Sequence, residues 1–167
     1  MGQVTITRLD ENDIDTLIPL AYRIWHAHYP AIISVEQIDY MLERGYTRPV
    51  ILDEIKNQGL IWLAIKAGEV MIGFASVGPY APATMKLHKL YLLPEYHGTG
   101  IGASALAEVE QIARDNAASA LVLNVNRHNV KAIRAYERAG WHVVEEVVAD
   151  IGNGYVMDDY LMKKELT

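Results

Sequence analysis

The stretch from Met85 to Ala103, Met-Lys-Leu-His-Lys-Leu-Tyr-Leu-Leu-Pro-Glu-Tyr-His-Gly-Thr-Gly-Ile-Gly-Ala, constrains the fold more than any other part of the chain. A strand-like apolar run stops at Pro94, a short loop follows, and Gly98, Gly100 and Gly102 open the helical run from Ile101 to Asn116. Glycines at a loop-to-helix junction let another molecule come close to the main chain. The first turn of a helix carries N–H groups that have no intrahelical partner and a partial positive charge. A corner built this way is suited to a phosphate.

The flanking segments read as a layered α/β fold. Val4 to Leu9 alternates and is rich in β-branched residues, which predicts a strand, and Asp10 then supplies a helix N-cap. Ile14, Leu17, Ile18, Ala21, Tyr22, Ile24 and Trp25 recur at helical spacing, and that helix is expected to stop before Pro30. Ser34 with Gln37 reads as a capping box for a second helix reaching Gly45, and residues 48–58 as a short third helix. Residues 60–65 and 69–77 are expected to pair as strands around Lys66-Ala67-Gly68, with Pro79 and Pro82 marking a loop before the strand at Thr84. A strand at 120–125, a helix at about 128–139 capped by Gly140, and strands at 141–148 and 155–163 complete the order. The hairpin at 60–77 breaks strict strand–helix alternation, so the fold class is α/β with a mixed, mostly antiparallel sheet of about seven strands, not a doubly wound one.

Gly98-x-Gly100-x-x-Ala103 also fits a dinucleotide-binding fingerprint. There the first glycine follows its strand directly, near the start of a βαβ unit, with an acid about 20 residues on. Here Pro94 to His97 intervene, and the next strand ends in Asn124 and Asn126. The segment from Leu90 to Gly102 instead resembles the acyl-CoA signature of the GNAT superfamily of N-acetyltransferases, whose loop is written Gln/Arg-x-x-Gly-x-Gly/Ala. A second block, Asn129-x-x-Ala132-x-x-x-Tyr136-x-x-x-Gly140-Trp141, resembles that superfamily's other hallmark, and one strand separates the two. The resemblance implies a single N-acetyltransferase domain over 1–167, helices on both sheet faces, splayed central strands, and acetyl-CoA as co-substrate. It also implies that the region between the first two strands shapes the acceptor site.

Carried over by position, the resemblance assigns the pyrophosphate to the backbone of Gly98, Thr99, Gly100, Ile101, Gly102 and Ala103. His97 stands where the family has Gln or Arg, and it is either a phosphate contact or a plain loop residue. The main chain of Leu90, Tyr91 and Leu92 would pair with pantetheine as an added strand does. Asn129 would touch the coenzyme and Tyr136 would protonate the departing thiolate. The 4, 3, 4 spacing of Asn129, Ile133, Tyr136 and Gly140 puts them on one helix stripe. A phenol near pKa ~10 can protonate a thiolate near ~8.5 with a modest uphill step. Taken alone, a Tyr on an apolar stripe is also an ordinary core residue.

An ammonium near pKa ~10.4 must lose a proton before it attacks. Some relatives have a Glu where this chain has His88, and others have a Glu matched by Asn124, which cannot accept a proton. His88 is therefore the candidate base, against the plainer reading of a hydrogen-bonded strand histidine. Trp25, His28 and Tyr29 are candidates for lining an acceptor pocket, which would take a small-molecule amine, polyamine-like among others, or a protein amine. Asp158 and Asp159 near the last strand are candidates to attract a polyamine, against the plainer reading of a solvated strand start. Two other functions stay open: a non-catalytic acyl-CoA-binding regulatory module and an NAD(P)-binding oxidoreductase. A homodimer is a family-level expectation only.

Composition narrows the partners. The formal net charge of −6 disfavours nucleic acid, which is held by cationic patches, and suits cationic acceptors. No apolar run approaches the ~18 residues that cross a bilayer, and Gly2 lacks the lipidation pattern, so no membrane association and a cytoplasmic location are expected. Without cysteine there is no thiolate nucleophile, and His26-x-His28 is poor metal spacing on a helix, so no metal is expected.

Overall fold

Local signals set most of the elements in this computed structural model, which describes residues 3–167; Met1 and Gly2, where the lipidation reading falls, lie outside them. After β1 (Val4–Arg8), the Asp10 carboxylate accepts from the Asn12 N–H at 2.8 Å, and the Asp10 N–H donates to the Asp13 carboxylate at 3.1 Å. This reciprocal cap starts a 3-10 turn that runs into α1 (Ile14–His28). Pro19 sits inside α1 without ending it, and Tyr29 and Pro30 pass into a second 3-10 turn. In α2 (Val35–Gly45) only half of the expected capping box forms: Ser34 Oγ accepts from the Gln37 N–H at 3.1 Å. The Gln37 amide instead donates to the Val156 carbonyl at 2.9 Å. Thr47 caps α3 (Arg48–Asn57).

The seven strands form one sheet in the order β1-β2-β3-β4-β5-β7-β6, in which only β4 and β5 run parallel. β2 (Ile61–Ala67) turns through Gly68 and Glu69 into β3 (Val70–Ala81). β3 continues through Pro79, where a loop was expected: Pro79 pairs with Met85 of β4, and pairing with β2 has already ended at Val77, so the proline stands on an open edge. The turn falls on Pro82 and Ala83 before β4 (Thr84–Leu92). α4 (Ile101–Asp115), β5 (Ala120–Asn126) and α5 (Val130–Arg138) follow. β6 (His142–Gly152) and β7 (Tyr155–Glu165) outrun the expected spans. Asn153 and Gly154, both with positive φ, close their hairpin, and Tyr40 of α2 steadies it by donating to the Ile151 carbonyl at 2.9 Å.

Alternation in the central strands divides the core. Trp62, Ala64, Ile72 and Phe74 meet the helices α1 to α3 through Ile14, Leu17, Ile24, Ile38, Leu42 and Ile51. Leu63, Ala75, Val77 and Leu87 meet Val109, Ile112 and Ala113 of α4 on the other side, with Leu121, Trp141 and Met162 extending that layer.

Two features of β4 shape what comes next. Ser76 pairs with Lys89 and Val77 with Leu87, so His88 is the extra residue of a β-bulge. A bulge bends its strand and increases the local twist. Beyond the bulge, β3 hugs β4: a Cβ at Gly73 would strike the Tyr91 carbonyl and lie 2.7 Å from Leu92 Cδ2. Gly73→Ala is expected to lower stability by about 1–3 kcal/mol in urea denaturation, because backbone, which yields little, must move.

Candidate functional site

The bend in β4 opens a cleft. β4 pairs with β5 only at Thr84–Ala120, Met85–Leu121 and Lys86–Val122, and from Leu87 and Leu123 onward the facing edges have no partner strand. Backbone polar groups left open inside a sheet call for a hydrogen-bonding guest. The Leu93 N–H donates to the Ile72 carbonyl at 2.9 Å, and the Tyr91 carbonyl faces Gly73. Alternation therefore commits Tyr91's main-chain groups to β3 and turns those of Leu90 and Leu92 into the cleft. This narrows the stretch Leu90 to Leu92 to two of its three residues.

At the wide end of the cleft lies the glycine corner. Gly98 (φ 74°) and Gly100 (φ 86°) are left-handed, and a Cβ on either would meet nothing within 4 Å. The glycines serve backbone conformation and leave the space over the corner open. The Ser104 N–H makes the first helical bond of α4, to the Gly100 carbonyl at 3.1 Å, and no side chain caps the helix. Among the described residues, the N–H groups of Gly98 through Ala103 have no hydrogen-bond partner. The Ile101 side chain is buried and pins the helix start, while Thr99 donates its hydroxyl to the Tyr96 carbonyl.

His97 turns back into the chain: Nε2 lies 3.1 Å from the Leu92 carbonyl and Nδ1 lies 3.5 Å from Lys131 Nζ. The carbonyl only accepts, so this pairing selects the Nε2–H tautomer and leaves Nδ1 facing the Lys131 ammonium. His28 belongs to the same cluster. Desolvation, then the charges of His97 and Lys131, hold its imidazole below the ordinary value. Lys131 was not singled out from the sequence, because nothing in its local pattern shows that α5 begins beside the glycine loop.

Aromatic residues fill the floor of the cleft. Trp25 packs 4.6 Å from Tyr29 and 5.7 Å from Tyr91, centroid to centroid. Expected at a pocket wall, Trp25 and Tyr29 are core residues, since their apolar surface is taken up by α1 and β4. The Tyr29 hydroxyl lies 2.9 Å from that of Tyr91. Burial pushes the Tyr29 phenol up to about 12, the Tyr91 bond opposes that rise, and the nearby Asp159 carboxylate adds to it. Tyr136 is half-buried and sits edge-on to Trp141 at 5.7 Å. Burial raises its phenol well above the ordinary value, and the proximity of Tyr29 raises it further. The Asn129 side chain does not cap α5.

His88 is exposed on the bulge, yet desolvation by the chain around it, then the Lys86 and Lys89 cations, push its imidazole down to about 4. Lys89 itself lies over the rings of Tyr46 and Trp62, at 5.4 and 5.2 Å. Asp158 pairs with Arg127 at 2.8 Å. Asp159 is 7% exposed, in the middle of β7, not at a solvated strand start. Its Oδ1 has no hydrogen-bond partner among the described residues. Burial raises its carboxyl above the usual range and Asp158 adds to this, while the Asn124 amide and the Lys86 charge oppose it. The one available signal was its two-residue phase with buried Leu161, but Tyr160 and Met162 carry an equally apolar phase. His26 binds Asp39 at 2.7 Å, and among the described residues no group of three His, Cys, Asp or Glu is placed to hold a metal. No helix of the described chain is long and apolar enough to cross a membrane.

Comparison with known proteins adds an independent line. Residues 19–141 match the model of the acetyltransferase (GNAT) family. The spermidine N(1)-acetyltransferase of Thermoplasma acidophilum is 31% identical over 144 residues, covering 84% of this chain and 89% of that one. An uncharacterized N-acetyltransferase of Mycobacterium tuberculosis is 27% identical, covering 92% and 98% of the two chains. The crystal structure of the PaiA N-acetyltransferase of Thermoplasma acidophilum, in complex with coenzyme A, superposes with a TM-score of 0.82 at 27% identity, covering 98% and 99%.

Gly100→Glu brings a carboxylate and a left-handed β-carbon into the anion corner. It is expected to abolish the thermal stabilisation given by coenzyme A; a retained shift would mean that the N–H groups of Gly98 to Ala103 are not its diphosphate site.

Proposed function

Because the chain belongs to the GNAT family of acetyltransferases, we propose that it transfers acetyl from acetyl-CoA directly to a primary amine of a small, polyamine-like cation. The observation that carries this reading is the β4–β5 cleft, which runs from the open N–H groups of the glycine corner along the unpaired stretch of β5, at whose end β7 sets the buried Asp159 opposite Asn126. A negative net charge suits a cationic acceptor, and the similar Thermoplasma protein is named for spermidine.

The residues present fit the coenzyme. The unpartnered donors of Gly98 to Ala103, at a helix N-terminus with no side chain over them, are suited to a diphosphate. Lys131, drawn toward the loop by His97, adds a cation beside that corner. The open main-chain groups of Leu90 and the N–H of Leu92, whose carbonyl is taken by His97, are suited to the amides of an extended arm, and the free amide of Asn129 lies where α5 begins. Acetyl-CoA supplies the activated carbonyl and a sulfur leaving group.

Tyr136 then serves as the hydrogen-bond donor to the departing sulfur. Its raised pKa keeps the phenol protonated throughout the physiological range and makes full proton release uphill, so the donated hydrogen bond stabilises charge as it develops. His88, unprotonated above about pH 4, can take the ammonium's proton at neutral pH, although as a weak base. The absence of cysteine, and of a Gly-x-Ser-x-Gly segment, supports direct transfer over a covalent acyl-enzyme.

The assay that tests the acceptor offers acetyl-CoA with a panel of diamines, spermidine, spermine, and lysine or N-terminal peptides, and measures released thiol. The highest kcat/KM is expected for the linear polyamines; turnover confined to peptides would overturn the small-molecule reading. Tyr136→Phe is expected to lower kcat by about 10²-fold with coenzyme A affinity nearly unchanged. An unchanged kcat would point to a group other than Tyr136 as the proton donor. If His88 is the base, the ratio of wild-type to His88→Ala kcat/KM should stay level from pH 8 down to about 5.5, because a group lowered to about 4 is already deprotonated there. A ratio that falls through pH 6 to 7 would show an imidazole with ordinary titration.

A further inference from the structure

We propose that Asp159 is the carboxylate that receives the acceptor's ammonium group, and so selects cationic amines over neutral ones. The inference rests on the amine-acceptor reading above and adds to it a residue and a reason for specificity.

A buried carboxylate with an open oxygen is costly unless a cation or donors reach it. Asp159 is in that condition: Oδ1 is buried and has no partner among the described residues. Each neighbour leaves the shortfall in place. Asp158, next along the strand, is taken up with Arg127. Lys86 of β4 acts on Asp159 only through its charge, and its own ammonium, half-buried, lies over the Tyr80 ring at 5.6 Å. Asn124 of β5 offers an amide but no charge. Tyr29, at the end of α1, is already paired with Tyr91.

The position is also right. β7 sets Asp159 opposite Asn126, at the end of the stretch of β5 that has no β4 partner. Alternation puts it out of phase with Tyr160 and Met162, which join the core layer under α4 and α5, and so on the side of α1 and α2. Tyr29 is paired with Tyr91 at 2.9 Å, and its phenol feels the charge of Asp159. An ammonium held by Asp159 would therefore stand at the end of the β5 stretch that β4 leaves open, on the same cleft that the coenzyme's arm would occupy. A linear polyamine fits this better than a lone amine, because one ammonium can meet the buried carboxylate while its remaining cations stay in solvent.

The test is steady-state kinetics on the full-length chain with spermidine as acceptor, together with the thermal shift produced by coenzyme A. Asp159→Asn, nearly isosteric, is expected to raise the spermidine KM at least 10-fold and to leave the acetyl-CoA KM and the thermal shift unchanged. A merely structural role would move all of these together. An unchanged spermidine KM overturns the proposal. Lys86→Gln is the second variant: loss of the competing cation should lower the spermidine KM several-fold, and no change there counts against Asp159 as the anchor even if Asp159→Asn folds poorly. If the wild-type chain acetylates only neutral amines, the polyamine reading fails, and this proposal with it. If it acetylates spermidine but ignores both substitutions, only the anchor is wrong.

Discussion

The bulge at His88 is the constraint on which the rest of the site depends. One extra residue in β4, opposite a continuous β3, bends the strand immediately after its last pairing with β5. A straight β4 would zip onto β5 along its whole length and consume the main-chain groups of Leu90 and Leu92. The bend survives because β4 is gripped on its other edge. Gly73 leaves no room for a side chain between the strands, and the Leu93 N–H fastens the end of β4 to Ile72. The helix layers then hold the two arms apart, Trp25, Tyr29 and Tyr91 on one side and α4 on the other.

The corner above the cleft binds through geometry more than through side-chain charge. Its donors are main-chain N–H groups aligned by a helix, so its attraction for an anion survives in a chain with net charge −6. That explains how His97 can stand where the family carries Gln or Arg and still turn inward, spending its ring on Leu92 and Lys131. The cation nearest the His97 ring is Lys131, on the neighbouring helix, with Nζ 3.5 Å from Nδ1.

Much of this was legible in the amino-acid sequence, for identifiable reasons. Helical stripes such as Ile101, Ala105, Val109 and Ile112 are long enough for period alone to decide, and the glycine corner is a local device readable from consecutive residues. Features that depend on tertiary partners were not. β3 runs through Pro79 because β2 no longer pairs with it there, and β6 and β7 extend past the expected ends because α2 binds their hairpin. Asp159 looked like a solvated strand start for the same reason. Both faces of β7 are buried, so alternation carries no hint that one carboxylate faces inward. His88 was readable as an unusual residue at a telling position, while its low proton affinity comes from desolvation by the surrounding chain and then from the Lys86 and Lys89 charges, which only the folded chain brings near it.

The bonds from Gln37 and Tyr40 to the β6–β7 hairpin tie together two segments more than a hundred positions apart in the chain. They make a bridge across the acceptor side that shares no residue with the glycine corner. If the proposed acceptor enters on this side, α2 can be remodelled for a longer or bulkier amine without touching the loop from Gly98 to Ala103.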